Sequence, residues 1–174
     1  MRYLCATKRL RLRRFDPTDT ETLFRHHREE DLKKWIPNES YTDVAEAGEA
    51  IQFYSRCVDA GELPYVLAIE SKADGQMIGD AGINEVEGMP GTIEIGFSIA
   101  CAYQNKGYAM EAVQAVEELA VAHFQARIVY ARIMHGNVSS VKVIQKCAYA
   151  FVREELGAED DPYGNGMLVY RKEI

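Results

Sequence analysis

The residues best suited to chemistry lie in one run, Ile99-Ala100-Cys101-Ala102-Tyr103-Gln104-Asn105-Lys106-Gly107-Tyr108-Ala109-Met110-Glu111. A strand-like segment gives way to a short loop with one glycine, and a helical pattern follows. The start of a helix offers unpaired N–H groups and the positive end of its dipole, which together bind phosphate. Gly107 lets the backbone approach a diphosphate closely. Ala109 is small enough for the helix to begin against it, and Lys106 adds a positive charge. Taken alone, such a junction serves equally well simply to turn the chain.

The other reactive residue types are scattered. His26 and His27 fall on a helical segment, where adjacent side chains point apart, so they read as surface residues rather than metal ligands. His123 has no partner at helical i+4 spacing for zinc. His135 sits at a strand end near Asn137, where a surface or a cleft role both fit. Cys5, Cys57, Cys101 and Cys147 lie far apart with no C-x-x-C spacing, which suggests neither a zinc nor a redox motif; they read as free thiols. No metal is expected.

The elements that position these residues alternate in rhythm. Residues 8–15 read as a strand, because Leu10 and Leu12 alternate with basic residues. Asp16 and Pro17 start a helix running to about residue 29, and Asp43 with Glu46 caps a second one that Gly61 closes. Strands follow at 65–70 and 77–86, joined by an Asp74-Gly75 turn, and then at 92–99. In the last, Ile93, Ile95, Phe97 and Ile99 face one side and Glu94, Gly96, Ser98 and Ala100 the other. A helix is expected over 109–125, a strand over 127–134, a helix over 139–147, a short strand over 151–154, a turn-rich loop over 160–166 and a last strand over 167–172. Strands interleaved with helices, around an antiparallel meander, predict a mixed α/β sheet.

The chain's 174 residues suit one domain spanning 1–174, and no linker or repeat divides it. The formal net charge of −7 repels a polyanion, so nucleic acid is not an expected partner. The basic run from Lys8 to Arg14 reads as the outer face of a strand rather than a nucleic-acid arm. No run approaches the length of a membrane span, and the first residues lack a signal peptide's apolar stretch, so a cytoplasmic protein with no membrane partner is expected.

Four ordered motifs add a resemblance. Gln104-Asn105-Lys106-Gly107-Tyr108-Ala109 matches the Q/R-x-x-G-x-G/A acetyl-CoA signature of the GNAT superfamily. Glu94-Ile95-Gly96-Phe97 resembles the E-I-G-Y strand of its RimJ/RimL branch, the ribosomal-protein alanine N-acetyltransferases. Asn137-Val138-Ser139-Ser140 resembles that branch's N-x-x-S, and Thr7-Lys8-Arg9-Leu10-Arg11-Leu12-Arg13 resembles its T-x-R-L-x-L-R opening. The resemblance implies a strongly twisted, mostly antiparallel mixed sheet flanked by helices and splayed open for acetyl-CoA. Residues Gln104, Asn105, Lys106, Gly107, Tyr108 and Ala109 would hold the pyrophosphate. The strand backbone at Phe97, Ser98 and Ile99 would pair with the pantetheine arm, and Asn137 and Ser140 would sit by the other end of the cofactor. Trp35 and Tyr41 fall where the family lines its acceptor site, although core packing suits both equally.

The implied reaction is acetyl transfer to a primary amine, on a protein N-terminus or a small molecule, by direct attack in a ternary complex. Its base would be Glu94, with Asp80 and Glu85 as weaker rivals; the same carboxylate also fits a plain strand ion pair. Ser140 would hydrogen-bond the thiol or merely support the start of its helix. Two departures stand out. Ile144 occupies the position where many members place a proton-donating Tyr, which leaves open a non-catalytic acyl-CoA-binding module. Ala148 and Tyr149 replace the Gly and Phe of the K-x-G-F turn; a left-handed backbone is costly for Ala, so a different turn is expected there. A homodimer would follow family habit.

Overall fold

Leu10 and Leu12 are fully buried, and the strand they form, β2 (Leu10–Arg13), sits one place in from the edge of a single eight-stranded sheet. The computed structural model describes residues 3–157 and 166–174. The other strands are β1 (Tyr3–Ala6), β3 (Tyr65–Ser71), β4 (Met77–Glu85), β5 (Thr92–Ile99), β6 (Ile128–Met134), β7 (Ala150–Glu155) and β8 (Met167–Glu173). They run in the order β1-β2-β3-β4-β5-β6-β8-β7. Every neighbouring pair is antiparallel except β5 and β6, which are parallel. The mixed, mostly antiparallel sheet expected from the sequence is therefore present.

The helices are α1 (Thr20–His26), α2 (Glu30–Trp35), α3 (Val44–Ala60), α4 (Tyr108–Phe124) and α5 (Val138–Lys146). Helix α3 keeps the predicted caps: Asp43 accepts the Glu46 N–H at 2.9 Å, and Gly61 adopts φ 72° just beyond the end. Helix α4 packs its Val113, Val116 and Leu119 into the large core, together with Ile93, Ile95 and Ile99 from β5 and Ile144 from α5. A smaller core of Phe15, Leu23, Ile51, Ala68 and Met77 forms beneath α1 and α3. The predicted split of β5 into two faces is what separates the two layers.

Three expectations needed correction. The helix predicted from Asp16 to about residue 29 begins as a 3₁₀ turn, Pro17–Asp19, continues as α1 and ends at His26; a separate helix, α2, starts after Glu29, whose own backbone is not helical. Between the two helices the Glu29 carboxylate accepts the Cys101 N–H, and the His27 side chain bonds Asp80 on the sheet. Arg13 does not face solvent with its basic neighbours. It is buried between Glu70, at 2.7 Å, and Asp19, at 2.7 and 2.9 Å, and these two carboxylates hold its pKa above the usual guanidinium range despite burial. Finally, the turn after α5 does not differ from the left-handed one the family motif implies. Ala148 adopts φ 67°, its N–H reaches Gln145 O, and Tyr149 N–H reaches Ile144 O, the paired bonds of a Schellman cap. Strand β1 was not anticipated; its four residues show no burial alternation to betray it. The loop predicted over 160–166 falls, apart from Gly166, outside the described residues.

A left-handed residue carrying a Cβ costs about 1 kcal/mol relative to glycine. Ala148→Gly is therefore expected to stabilise the fold by about 1 kcal/mol in urea denaturation, and an unchanged or lowered midpoint would show that the strain is relieved elsewhere.

Candidate active site

Strands β5 and β6 pair only at Thr92, Ile93 and Glu94, against Ile128, Val129 and Tyr130. Beyond that point β5 continues beside β4 to Ile99, and β6 continues beside β8 to Met134, so the two part. The Ala100 N–H donates to Ile78 O, which fixes the alternation: even-numbered residues turn their backbone toward β4, and Ile95, Phe97 and Ile99 turn theirs into the opening. The Ile99 carbonyl there is met by the Gln104 side-chain amide at 2.9 Å. Side chains follow the predicted faces. Phe97 packs toward the large core, so it presents backbone to the opening, whereas Ser98 is buried on the opposite face.

At the end of β5 a short 3₁₀ turn, Cys101–Tyr103, leads into the predicted loop. Asn105 (φ 60°) and Gly107 (φ 80°) are both left-handed, a conformation glycine and asparagine tolerate best. The first intrahelical bond of α4 runs from Glu111 N–H to Gly107 O, so the N–H groups of Tyr108, Ala109 and Met110 lack helical acceptors. The result is a backbone concavity suited to an anion. Lys106 Nζ is tied to Ala102 O at 2.8 Å. Sequence reading missed the brace on this loop. Arg9 donates to Lys106 O at 2.7 Å, lies over the Tyr108 ring at 4.5 Å and pairs with Glu111 at 2.6 Å. Glu111 also accepts from Thr7 and from Arg9 N–H, and these donors hold its carboxyl below the usual range despite partial burial. Nothing in the sequence links positions about a hundred residues apart.

Glu94 stands opposite Tyr130, where β5 and β6 begin to part. It is half-buried, and burial lifts its pKa above the ordinary glutamate value; Glu155 adds to this and Arg132 opposes it. Two residues along the same face is Gly96, where an added Cβ would meet nothing within 4 Å. Open space therefore lies directly beside Glu94. Of the rival carboxylates, Glu85 pairs with Ile93, and so belongs to the opposite face, and it is exposed. Asp80 is engaged in a buried network that the sequence did not reveal.

That network corrects the reading of His26 and His27 as surface residues: both are at least 96% buried, with only 4% and 3% exposure. His27 keeps a helical backbone at the cap of α1, its N–H bonded to Leu23 O, and both rings nevertheless reach partners on the sheet, His26 at Ser98 and His27 at Asp80. His26 Nε2 lies 2.7 Å from Ser98 Oγ, Ser98 Oγ donates to Asp80 Oδ1 at 2.9 Å, and Asp80 Oδ2 lies 2.5 Å from His27 Nε2. Burial depresses the His26 pKa. Burial acts the same way on His27, but Asp80 outweighs it and holds His27 above the ordinary histidine value; in return His27 outweighs desolvation and keeps Asp80 below its own. Ligand atoms of His26, His27 and Asp80 lie within 4.8 Å of one another, so the donor types of a divalent-metal site are assembled; here they bond to each other and to Ser98.

Across the opening, Asn137 caps α5 by accepting the Ser140 N–H at 3.2 Å, and half-buried Ser140 stands in its first turn. Ile144 is fully buried in the large core. Helix α2 lies over the mouth: Glu29, just before it, bonds Cys101 at the β5 end, and Trp35, its last residue, comes within 3.8 Å of a Cβ built at Gly136, on the β6 side. Tyr41 packs on the small core, 5.3 Å from the His27 ring. His135 is exposed, 3.7 Å from Glu154.

A family model described as an acetyltransferase (GNAT) domain matches residues 9–149. The chain is 25% identical over 143 residues to the uncharacterized N-acetyltransferase p20 of Bacillus licheniformis, covering 82% of this chain and 80% of the relative. It is 29% identical over 141 residues to the uncharacterized N-acetyltransferase YnaD of Bacillus subtilis (strain 168), covering 81% and 79%. A RimL ribosomal L7/L12 α-N-protein acetyltransferase solved in complex with coenzyme A superposes with a TM-score of 0.83 at 17% identity, covering 99% of this chain and 98% of that one. The chain belongs to the GNAT family of acetyltransferases and is an N-acetyltransferase. No helix among the described residues is long and apolar enough to cross a membrane.

A Cβ at Gly79 would lie 2.0 Å from Ser98 O. Gly79→Ala is expected to push β4 from β5 at the buried network and to cost about 3 kcal/mol, read as a lowered denaturation midpoint; wild-type stability would mean the strands separate freely there.

Proposed function

We propose that this N-acetyltransferase takes acetyl-CoA as donor, and transfers the acetyl group to the primary amine of a small cationic molecule or a protein N-terminus by direct attack in a ternary complex. The observation that carries this is the parting of β5 from β6, with an anion-binding concavity at one end and the open space beside Glu94 at the other. The pyrophosphate lies on residues Gln104 to Ala109, braced by Arg9. The pantetheine arm runs along the strand at Phe97, Ser98 and Ile99 and pairs with the backbone of the odd-numbered residues, which turn into the opening, while that of Ser98 is engaged with β4. Asn137 and Ser140 line the far wall, Ser140 near the sulfur.

A free alkyl amine is mostly protonated near neutral pH, so a base must act before attack. Glu94 is that base. Burial raises its pKa, which makes it a better proton acceptor than an exposed glutamate. The leaving thiol, with a pKa of roughly 8.5, departs without the proton donor that Ile144 cannot be. The formal net charge of −7 favours a cationic acceptor by steering.

Calorimetric titration with acetyl-CoA, paired with thiol release over a panel of amines and peptide N-termini, tests the reading. Tight binding with release is expected; no binding would sink it. Gly107→Glu should abolish binding, because its side chain would both strain the left-handed position and repel the pyrophosphate. Unchanged affinity would remove the loop assignment. Glu94→Gln should lower kcat by on the order of 10²-fold with acetyl-CoA affinity unaltered. In the wild type, kcat/KM should rise as pH rises through the Glu94 pKa, since only the carboxylate accepts a proton. Full activity in the Gln variant would show that Glu94 is not the base.

A further inference from the structure

Four polar side chains meet in the interior between α1 and the sheet, and all are buried: His26, His27, Asp80 and Ser98. Desolvating them is costly unless each is fully bonded. The bonds among them leave a remainder. Nε2 of each ring is engaged, His26 with Ser98 Oγ at 2.7 Å and His27 with Asp80 Oδ2 at 2.5 Å, and Ser98 Oγ donates to Asp80 Oδ1 at 2.9 Å. Nδ1 of each ring is buried with no hydrogen-bond partner. The charges do not balance either. Asp80 and Glu29 act on His26, and Asp80 and Glu39 act on His27. Three carboxylates therefore surround two imidazoles, and the group stays net negative even with both rings charged.

We propose that His26 Nε2, His27 Nε2, the Asp80 carboxylate and Ser98 Oγ form a structural site for one divalent metal ion of the zinc type. The donor set selects the ion. Imidazole with a carboxylate suits zinc and its first-row neighbours, whereas magnesium and calcium take oxygen ligands. The spacing is close to what such an ion needs. Ligand atoms of His26, His27 and Asp80 lie within 4.8 Å of one another. Bonds of about 2.1 Å in a tetrahedral site set the ligands roughly 3.4 Å apart. The His27–Asp80 contact opens and the wider spacings close, each by roughly 1 Å, through small turns of the side chains. The two rings stand at 86° with centroids 5.1 Å apart, so they do not stack and can both present Nε2 to one ion.

The outward sides of the rings fit the same reading. Coordination through Nε2 puts each ring proton on Nδ1, and a metal-bound histidine commonly donates that proton to a carboxylate or a backbone carbonyl. Glu29 Oε2 lies 3.9 Å from His26 Nδ1, and the backbone of Glu39 lies beside His27. An ion of charge +2 also offsets the excess of carboxylates. Protons shared within the cluster leave to solvent as the ion binds. With every ligand buried, the ion is taken up as the chain folds, and it then ties the end of α1 to β4 and β5. Sequence spacing hides such a site, because two ligands are adjacent on a helical segment and the others lie more than fifty residues away on two strands. The site is separate from the acetylation reading, and neither depends on the other.

The test refolds the wild-type chain from urea with and without Zn²⁺. Protein refolded with the ion should keep about one zinc per chain through gel filtration. With free zinc at a hundred times its Kd it should melt about 5–10 °C higher than protein refolded without it. X-ray absorption at the zinc edge should show imidazole and oxygen ligands and no sulfur. Asp80→Asn and His26→Gln should each lose the bound zinc. Cys101→Ser and His135→Ala, which alter exposed groups able to hold zinc on the surface, should keep it. Refolded wild type without retained zinc overturns the proposal. So does a sulfur ligand in the absorption spectrum, retention in a folded Asp80→Asn or His26→Gln protein, or loss in either surface variant. Thiol release is read separately, so failure of the metal site and failure of the acetylation reading are told apart.

Discussion

Parallel strands β5 and β6 hold together over three residues each and then diverge, and the rest of the molecule is organised around that divergence. Opening a sheet in its middle exposes backbone groups that elsewhere are paired, and leaving such groups both dry and unbonded is costly. The structure answers this locally: the Gln104 amide takes the Ile99 carbonyl, and α2 covers the mouth. The strands are kept apart without the sheet falling in two because one apolar core, built on α4 and α5, runs beneath both. Ile144 belongs to that core, which gives a structural reason for an aliphatic residue where relatives in the family place a phenol.

The other layer is held differently. Its apolar core is small, and charge does much of the joining. Arg13 bridges Glu70 and Asp19, and Asp80 ties β4 to His27 at the end of α1. Buried pairs of this kind add little net stability over apolar packing, but breaking one leaves an uncompensated charge, so they fix which residues meet. The start and the end of α1 are thereby tied to β2, β3 and β4. Asp80 also holds the His27 pKa up against burial, whereas at His26 burial prevails.

The loop at the far end depends on the N-terminal hairpin. Arg9 and Thr7 converge on Glu111 in the first turn of α4, and Arg9 also holds the Lys106 carbonyl. A concavity of backbone N–H groups binds an anion well only if it need not reorganise on binding. Fixing it from outside, through a half-exposed arginine that adds positive charge of its own, serves both ends.

The sequence by itself determined the features that depend on near neighbours. Alternation in 92–99 gave the two faces of β5, Asp43 and Gly61 gave the bounds of α3 to within a residue, and the spacing from Gln104 to Ala109 gave the loop at the start of α4, because period, caps and left-handed glycines are local requirements of the backbone. Family motifs extended this to the open sheet. Tertiary structure alone decided the rest. Whether two adjacent histidines face water or the sheet turns on partners far along the chain, Ser98 for His26 and Asp80 for His27. His26 is buried against Ser98, itself bonded to Asp80, on two strands far along the chain. Ala148 takes a left-handed conformation against its own preference because the Schellman bonds and the burial of Tyr149 outweigh a local cost of about 1 kcal/mol. Contacts between distant positions leave no periodic trace in the chain, and it is such contacts that set the charges at this site.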